Sequence, residues 1–122
     1  MPKKILIVED DPDLVSMIQR VLKDSGYDVL TASDGQEALR ILKTIPADLI
    51  IMDLNMPVMT GWHLSMKVRK DERYKKTPII VLSGMVESQR KPEEFEPANL
   101  YLPKPFDIFE LLAKVKGLLK DS

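Results

Sequence analysis

Three short runs of uninterrupted aliphatic residues, Ile5-Leu6-Ile7-Val8, Leu49-Ile50-Ile51-Met52 and Ile79-Ile80-Val81-Leu82, constrain the fold of this chain most. A strand with one wet face alternates apolar and polar residues; a strand covered on both faces does not. Between the runs the period changes. Asp11-Pro12 offers an N-cap followed by proline in a first helical turn, and Leu14, Met17, Ile18, Val21 and Leu22 recur at helical spacing until Ser25-Gly26. Asp28 to Ala32 reads as a weaker strand. Ala38, Leu39, Leu42 and Ile45 form a second amphipathic stripe that stops before Pro46. A loop from Asn55 to Gly61 leads into a helix carrying Leu64 and Val68. Leu100-Tyr101-Leu102 is a short last strand. Asp107 and Glu110 have the form of a capping box, and Ile108, Leu111, Leu112, Val115, Leu118 and Leu119 give the clearest helical stripe. The stretch from Met85 to Pro97 fits neither period.

Five strands alternating with helices predict an α/β fold on a parallel sheet, because parallel neighbours need helical crossovers. Right-handed crossovers place helices on both faces. No linker, repeat or low-complexity tract divides the 122 residues, so residues 1–122 read as a single domain. Absence of cysteine excludes disulfides, Cys-ligated metals and a thiol nucleophile, and one histidine, His63, excludes a multi-His metal site. Eighteen Lys and Arg against nineteen Asp and Glu give a net charge of −1, which argues against direct nucleic-acid binding through a basic surface. No stretch approaches the length of a membrane span or has the form of a signal peptide, so the expectation is a cytoplasmic protein without membrane contact.

The informative residues stand where the strands end. In a parallel sheet every carboxyl end lies along one edge, where open α/β sheets bind ligands. The first run ends in Glu9-Asp10-Asp11, the third strand in Asp53, the fourth in Ser83, and the fifth is followed by Lys104-Pro105. Crowded carboxylates repel unless a cation neutralises them. An all-oxygen set without histidine favours a hard cation, Mg²⁺. A lysine and a hydroxyl suit phosphate oxygens. No Gly-rich phosphate loop is present, so the set fits a phosphoryl group carried on a carboxylate better than nucleotide hydrolysis. Taken singly, each residue has a plainer reading: Asp11 caps a helix, Asp53 forms a turn, Ser83 starts a loop, and Lys104 is solvated. Their common edge is what makes the set specific. His63 reads as a surface residue, Trp62 as packing at a helix start, and the methionines as core filler.

These residues fall into a pattern that strongly resembles the receiver domain of two-component response regulators. The matching stretches are Ile5 through Pro12, Asp34-Gly35-Gln36-Glu37-Ala38-Leu39, Asp53-Leu54-Asn55-Met56-Pro57 with Thr60-Gly61, Pro78 through Gly84, and Tyr101-Leu102-Pro103-Lys104-Pro105-Phe106. The resemblance implies a doubly wound, flavodoxin-like (CheY-like) five-stranded sheet of order 2-1-3-4-5 with five helices. It implies Asp53 as phosphoacceptor and a Mg²⁺ ion held by the Asp10 and Asp53 carboxylates, by the Asn55 backbone carbonyl, and by Glu9 through water. It implies Ser83 and Lys104 on the phosphoryl oxygens, Tyr101 as an aromatic switch that follows Ser83, and a cis peptide between Lys104 and Pro105.

The function implied is a phosphorylation-switched signalling domain, not a turnover enzyme. It would take its phosphoryl group from a histidine kinase or phosphotransfer protein and change its affinity for a target, met through the family's fourth helix, fifth strand and fifth helix. Two alternatives stand beside it: a degenerate receiver used only for protein contacts, and a flavodoxin-like electron carrier. Three departures from the family bear on the output surface and not on the chemistry. Met85 is apolar where many relatives are polar, Pro97-Ala98 replaces a Gly-Ala pair, and Pro92 and Pro97 interrupt the expected fourth helix.

Overall fold

The computed structural model describes residues 2–54, 56, 58–83 and 100–120. The strands are β1 (Lys4–Val8), β2 (Asp28–Ala32), β3 (Leu49–Asp53), β4 (Ile79–Ser83) and β5 (Leu100–Pro103). The helices are α1 (Pro12–Asp24), α2 (Gly35–Thr44), α3 (Gly61–Lys70) and α4 (Ile108–Leu119), with a 3₁₀ turn at Glu72–Tyr74. All neighbouring strands are parallel, in the order β2-β1-β3-β4-β5, as the resemblance implies. Four of the five expected helices are seen. The expected fourth lies within residues 84–99, outside the described residues, as do Met85, Pro92 and Pro97. α4 is therefore the helix expected as the fifth.

The three aliphatic runs are buried throughout because both faces are covered. Ile5, Ile7, Leu49, Ile51, Ile80 and Leu82 face Ile18 and Leu22 of α1 and Leu111, Val115 and Leu119 of α4. Leu6, Val8, Ile50, Met52, Ile79 and Val81 face Ala38 and Leu42 of α2 and Leu64 and Val68 of α3. Each such side chain contributes roughly 1.5–3 kcal/mol by leaving water. A one-residue slip would exchange the two faces of a strand. The register is therefore well specified, and it delivers Glu9, Asp53, Ser83 and Lys104 to one edge.

Several local expectations need correction. Met17 and Met66 are 43% and 37% exposed, not core filler. Ile18 and Leu22 occupy the centre of the α1 stripe, and Leu64, Ser65 and Val68 that of α3. Met52 and Met56 are buried as expected. Ile45 is not a stripe residue: α2 ends at Thr44, and Ile45 is an extended, exposed cap. Asp107 caps α4 through the Phe109 N–H at 2.8 Å, and Glu110 returns no bond, so the box is half formed. A fuller arrangement occurs at α2, where Asp34 accepts from the Glu37 N–H at 2.9 Å and Glu37 accepts from the Ser33 N–H at 2.8 Å.

Candidate functional site: a carboxylate edge with one lysine

The site is assembled by four strand ends. β1 leads into Glu9, whose N–H donates to the Ala32 carbonyl at 3.0 Å and so extends the ladder by one residue. The residue is 3% exposed, and its side chain turns onto the backbone of the next two residues. One carboxylate oxygen accepts from the N–H groups of Asp10 and Asp11 at 3.0 and 3.1 Å. Asp11 then caps α1, accepting from Asp13 and Leu14, as its plain reading has it. Asp10, between these two committed acids, is exposed.

Asp53 ends β3 and is 5% exposed. Ser83 ends β4 and is fully buried. Lys104 is tied to β4 by its backbone N–H, which donates to the Ser83 carbonyl at 2.6 Å. The Lys104–Pro105 peptide is cis, as the resemblance implies. From there the Lys104 ammonium donates to Asp53 at 3.3 Å and to Glu9 at 3.4 Å. Carboxylate oxygens of Glu9, Asp10 and Asp53 lie within 4.8 Å of one another. Tyr101, on β5, is half-buried against the α2–α3 side of the core. Asn55 lies outside the described residues.

The electrostatics follow from burial and crowding. Burial is the main cause that pushes the Glu9 carboxyl up to about 7; the Asp53 charge adds to it, while the Asp11 N–H and the Lys104 ammonium oppose it. Burial works against the Lys104 ammonium too, but the charges of Asp53 and Glu9 outweigh it and leave its pKa raised. With all three carboxyls ionised, one ammonium leaves two negative charges at the edge. The donor set is entirely oxygen, so the residues present fit a hard divalent cation.

Sequence reasoning placed Gly61 in the family pattern but gave it no role. A Cβ there would lie 2.5 Å from the Asp53 carbonyl oxygen, and nothing in the local sequence distinguishes this glycine from one required by a turn. It also missed the clip on the opposite edge of the sheet. There the Tyr74 hydroxyl donates to the Leu42 carbonyl, and the Arg69 guanidinium donates to the carbonyls of Tyr74 and Thr77 at 2.8 and 2.6 Å.

The chain matches the family profile of the response regulator receiver domain over residues 5–116. It belongs to that family. It is 38% identical to the alkaline phosphatase synthesis transcriptional regulatory protein PhoP of Bacillus subtilis, over the whole of this chain and 50% of PhoP. It spans about half the length of the curated relatives it first matches. Among solved structures, the chemotaxis response regulator CheY4 of Vibrio cholerae superposes with a TM-score of 0.91 at 38% identity, covering 98% of this chain and 100% of that one. The receiver domain of sensor histidine kinase PA1611 from Pseudomonas aeruginosa superposes with a TM-score of 0.89 at 30% identity, covering 98% and 99%. That structure holds a magnesium ion in its active-site cleft. The chain is thus a phosphorylation-switched signalling domain of the two-component type rather than a classical enzyme. No described helix is long and apolar enough to cross a membrane.

Proposed function

We propose that Asp53 accepts a phosphoryl group from a histidine kinase or phosphotransfer protein, and that residues 1–122 work as one receiver unit. The observation that supports this most is the Lys104 ammonium, held at hydrogen-bond distance from both Asp53 and Glu9 at the carboxyl edge of the sheet. A lysine there is placed to follow the acceptor's charge when phosphoryl oxygens arrive. A degenerate receiver has no use for two buried acids, Glu9 and Asp53, that cost desolvation.

On this reading an Asp53 carboxylate oxygen forms a bond to phosphorus as the bond from phosphorus to the donor's leaving group breaks. The leaving group, an imidazole nitrogen in a phosphohistidine donor, keeps that electron pair. Lys104 and the Ser83 hydroxyl hold two phosphoryl oxygens. Glu9, Asp10 and Asp53, with the Asn55 carbonyl as the resemblance implies, would hold Mg²⁺. The ion, when bound, neutralises charge on the transferring phosphoryl group. Glu9, whose one oxygen accepts from two backbone N–H groups, would meet the ion through water, as the family resemblance implies. As Ser83 engages phosphate, Tyr101 turns inward and alters the side of the domain formed by β5 and α4, where the downstream protein target binds. The domain catalyses its own phosphorylation and dephosphorylation and acts in the cytoplasm, where its donors are made.

The test is incubation with acetyl phosphate and Mg²⁺, read by intact mass. One phosphoryl group is expected on the wild-type chain and none on Asp53→Asn. Equal labelling of that variant would refute the assignment.

A further inference from the structure

Gly61 opens α3 at the place where that helix meets the strand bearing Asp53. Its N–H donates to the Leu54 carbonyl at 2.9 Å. A Cβ on it would lie 2.5 Å from the Asp53 carbonyl oxygen and 2.9 Å from the Leu54 Cα. Both are backbone atoms, which no change of rotamer moves aside. Gly61 is not in the left-handed region, where Gly26 is found, so space and not backbone freedom requires glycine here. One turn further on, the buried Ser65 hydroxyl donates to the Gly61 carbonyl at 2.8 Å and lies 3.1 Å from the Met52 sulfur. The first turn of α3 is thereby seated on Met52, Asp53 and Leu54. From the other side the Leu54 N–H donates to the Leu82 carbonyl at 2.8 Å. The backbone of Asp53 is held between β4 and α3.

We infer that Gly61 is a positioning residue for phosphoryl transfer to Asp53, with Ser65 bracing it. The absence of a side chain at 61 lets α3 press on the Asp53–Leu54 backbone and set the direction of the acceptor carboxylate. The inference rests on Asp53 as acceptor. One Asp53 oxygen must meet phosphorus in line with the departing group, whose bond breaks as the new one forms. Adding a methyl group at 61 forces the strand or the helix to yield by half an ångström before the Cβ clears even 3.0 Å. A misplacement of about 1 Å can cost ~100-fold in rate.

The test uses the full chain with Gly61→Ala and Ser65→Ala, labelled by acetyl phosphate with Mg²⁺ at varied donor concentration and at a temperature where each variant is folded. Gly61→Ala is expected to lower the maximal rate by ~10–100-fold. The donor concentration for half-maximal rate should change little, because Ser83 and Lys104 stand at the ends of other strands. Ser65→Ala, which trims one hydroxyl, is expected to give a smaller, several-fold loss with the same split. A purely structural role would lower the melting temperature and leave the maximal rate of the folded variants unchanged; that result overturns the inference. If Gly61→Ala does not fold, Ser65→Ala decides, and a wild-type maximal rate in it refutes the inference. A wild-type chain that takes no label overturns the acceptor reading and this inference with it, whereas a labelled wild type with undisturbed variants overturns this inference alone.

Discussion

Glu9 makes the stability of the metal-free protein depend on pH in a direction that a substitution can expose. Its carboxyl is raised from 4.5 to about 7 in the fold, chiefly by burial. A raised folded pKa means that the folded state binds the proton more tightly than the unfolded chain does. The associated stability is complete below pH 4.5 and is lost as pH rises through 7. By linkage this amounts to about 3 kcal/mol. Glu9→Gln is neutral at every pH and keeps an oxygen for the Asp10 and Asp11 N–H groups. It forfeits the charge facing Lys104, a contact at 3.4 Å with a partly exposed ammonium, which offsets roughly 1 kcal/mol. Without metal, Glu9→Gln should therefore be more stable than wild type by about 1–2 kcal/mol near pH 8, and equal or weaker near pH 4.5. Saturating Mg²⁺ should reverse the order at pH 8, because wild type gains more from a ligand that binds only the fold. Urea melts of both proteins at several pH values, with chelator and with Mg²⁺, provide the measurement. Groups that titrate alike in the two proteins cancel in the difference. Parallel stability profiles between pH 4.5 and 7 would show that Glu9 is ionised throughout and would refute the reasoning.

Lys104→Met removes the ammonium that occupies Asp53 and Glu9. It should tighten Mg²⁺ binding several-fold in the absence of phosphoryl donor while slowing labelling, and a titration read through the single tryptophan, Trp62, would reveal a weaker or equal affinity if that is wrong. Asp10→Asn should weaken Mg²⁺ with little effect on folding, whereas Asp11→Asn should leave Mg²⁺ binding nearly intact; comparable losses of affinity would contradict the division of labour between them. Val58 is β-branched, exposed, and held at φ 74, so Val58→Asn should raise stability by about 1 kcal/mol in a urea melt, and no gain would argue against the left-handed backbone there.

Much of this structure could be read without coordinates, for identifiable reasons. β1, β3 and β4 announce themselves because both faces are covered, which leaves no polar residue to confuse the period. The edge strand β2 reads more weakly because Asp28 and Thr31 are exposed. Glu9, Asp10, Asp53, Ser83 and Lys104 could be grouped because parallel strands send all their ends one way. What stayed hidden depends on contacts between distant segments. The Tyr74 hydroxyl on the Leu42 carbonyl spans 32 residues. Gly61 matters through the carbonyl of Asp53, a backbone atom without a signature in residue type. Met17 and Met66 were misjudged because a hydrophobic count says which residues can be buried but not how wide a face the neighbour covers. The turning of the Glu9 carboxylate onto the Asp10 and Asp11 N–H groups was equally invisible, since it is a choice of rotamer.

The strand order has a consequence for how news of the reaction leaves the centre. Asp53 sits on the middle strand, and Ser83 and Tyr101 lie on the next two strands outward. Adjacent strands are about 4.8 Å apart, so an event at the acceptor reaches the rim of the sheet after two sideways steps of roughly 10 Å in all. On the proposed reading the route runs across the strands, through their ends, to β5. An exposed position away from it, such as Arg20 on α1, can be rewritten to suit a different neighbour while the relay from acceptor to rim keeps its wording.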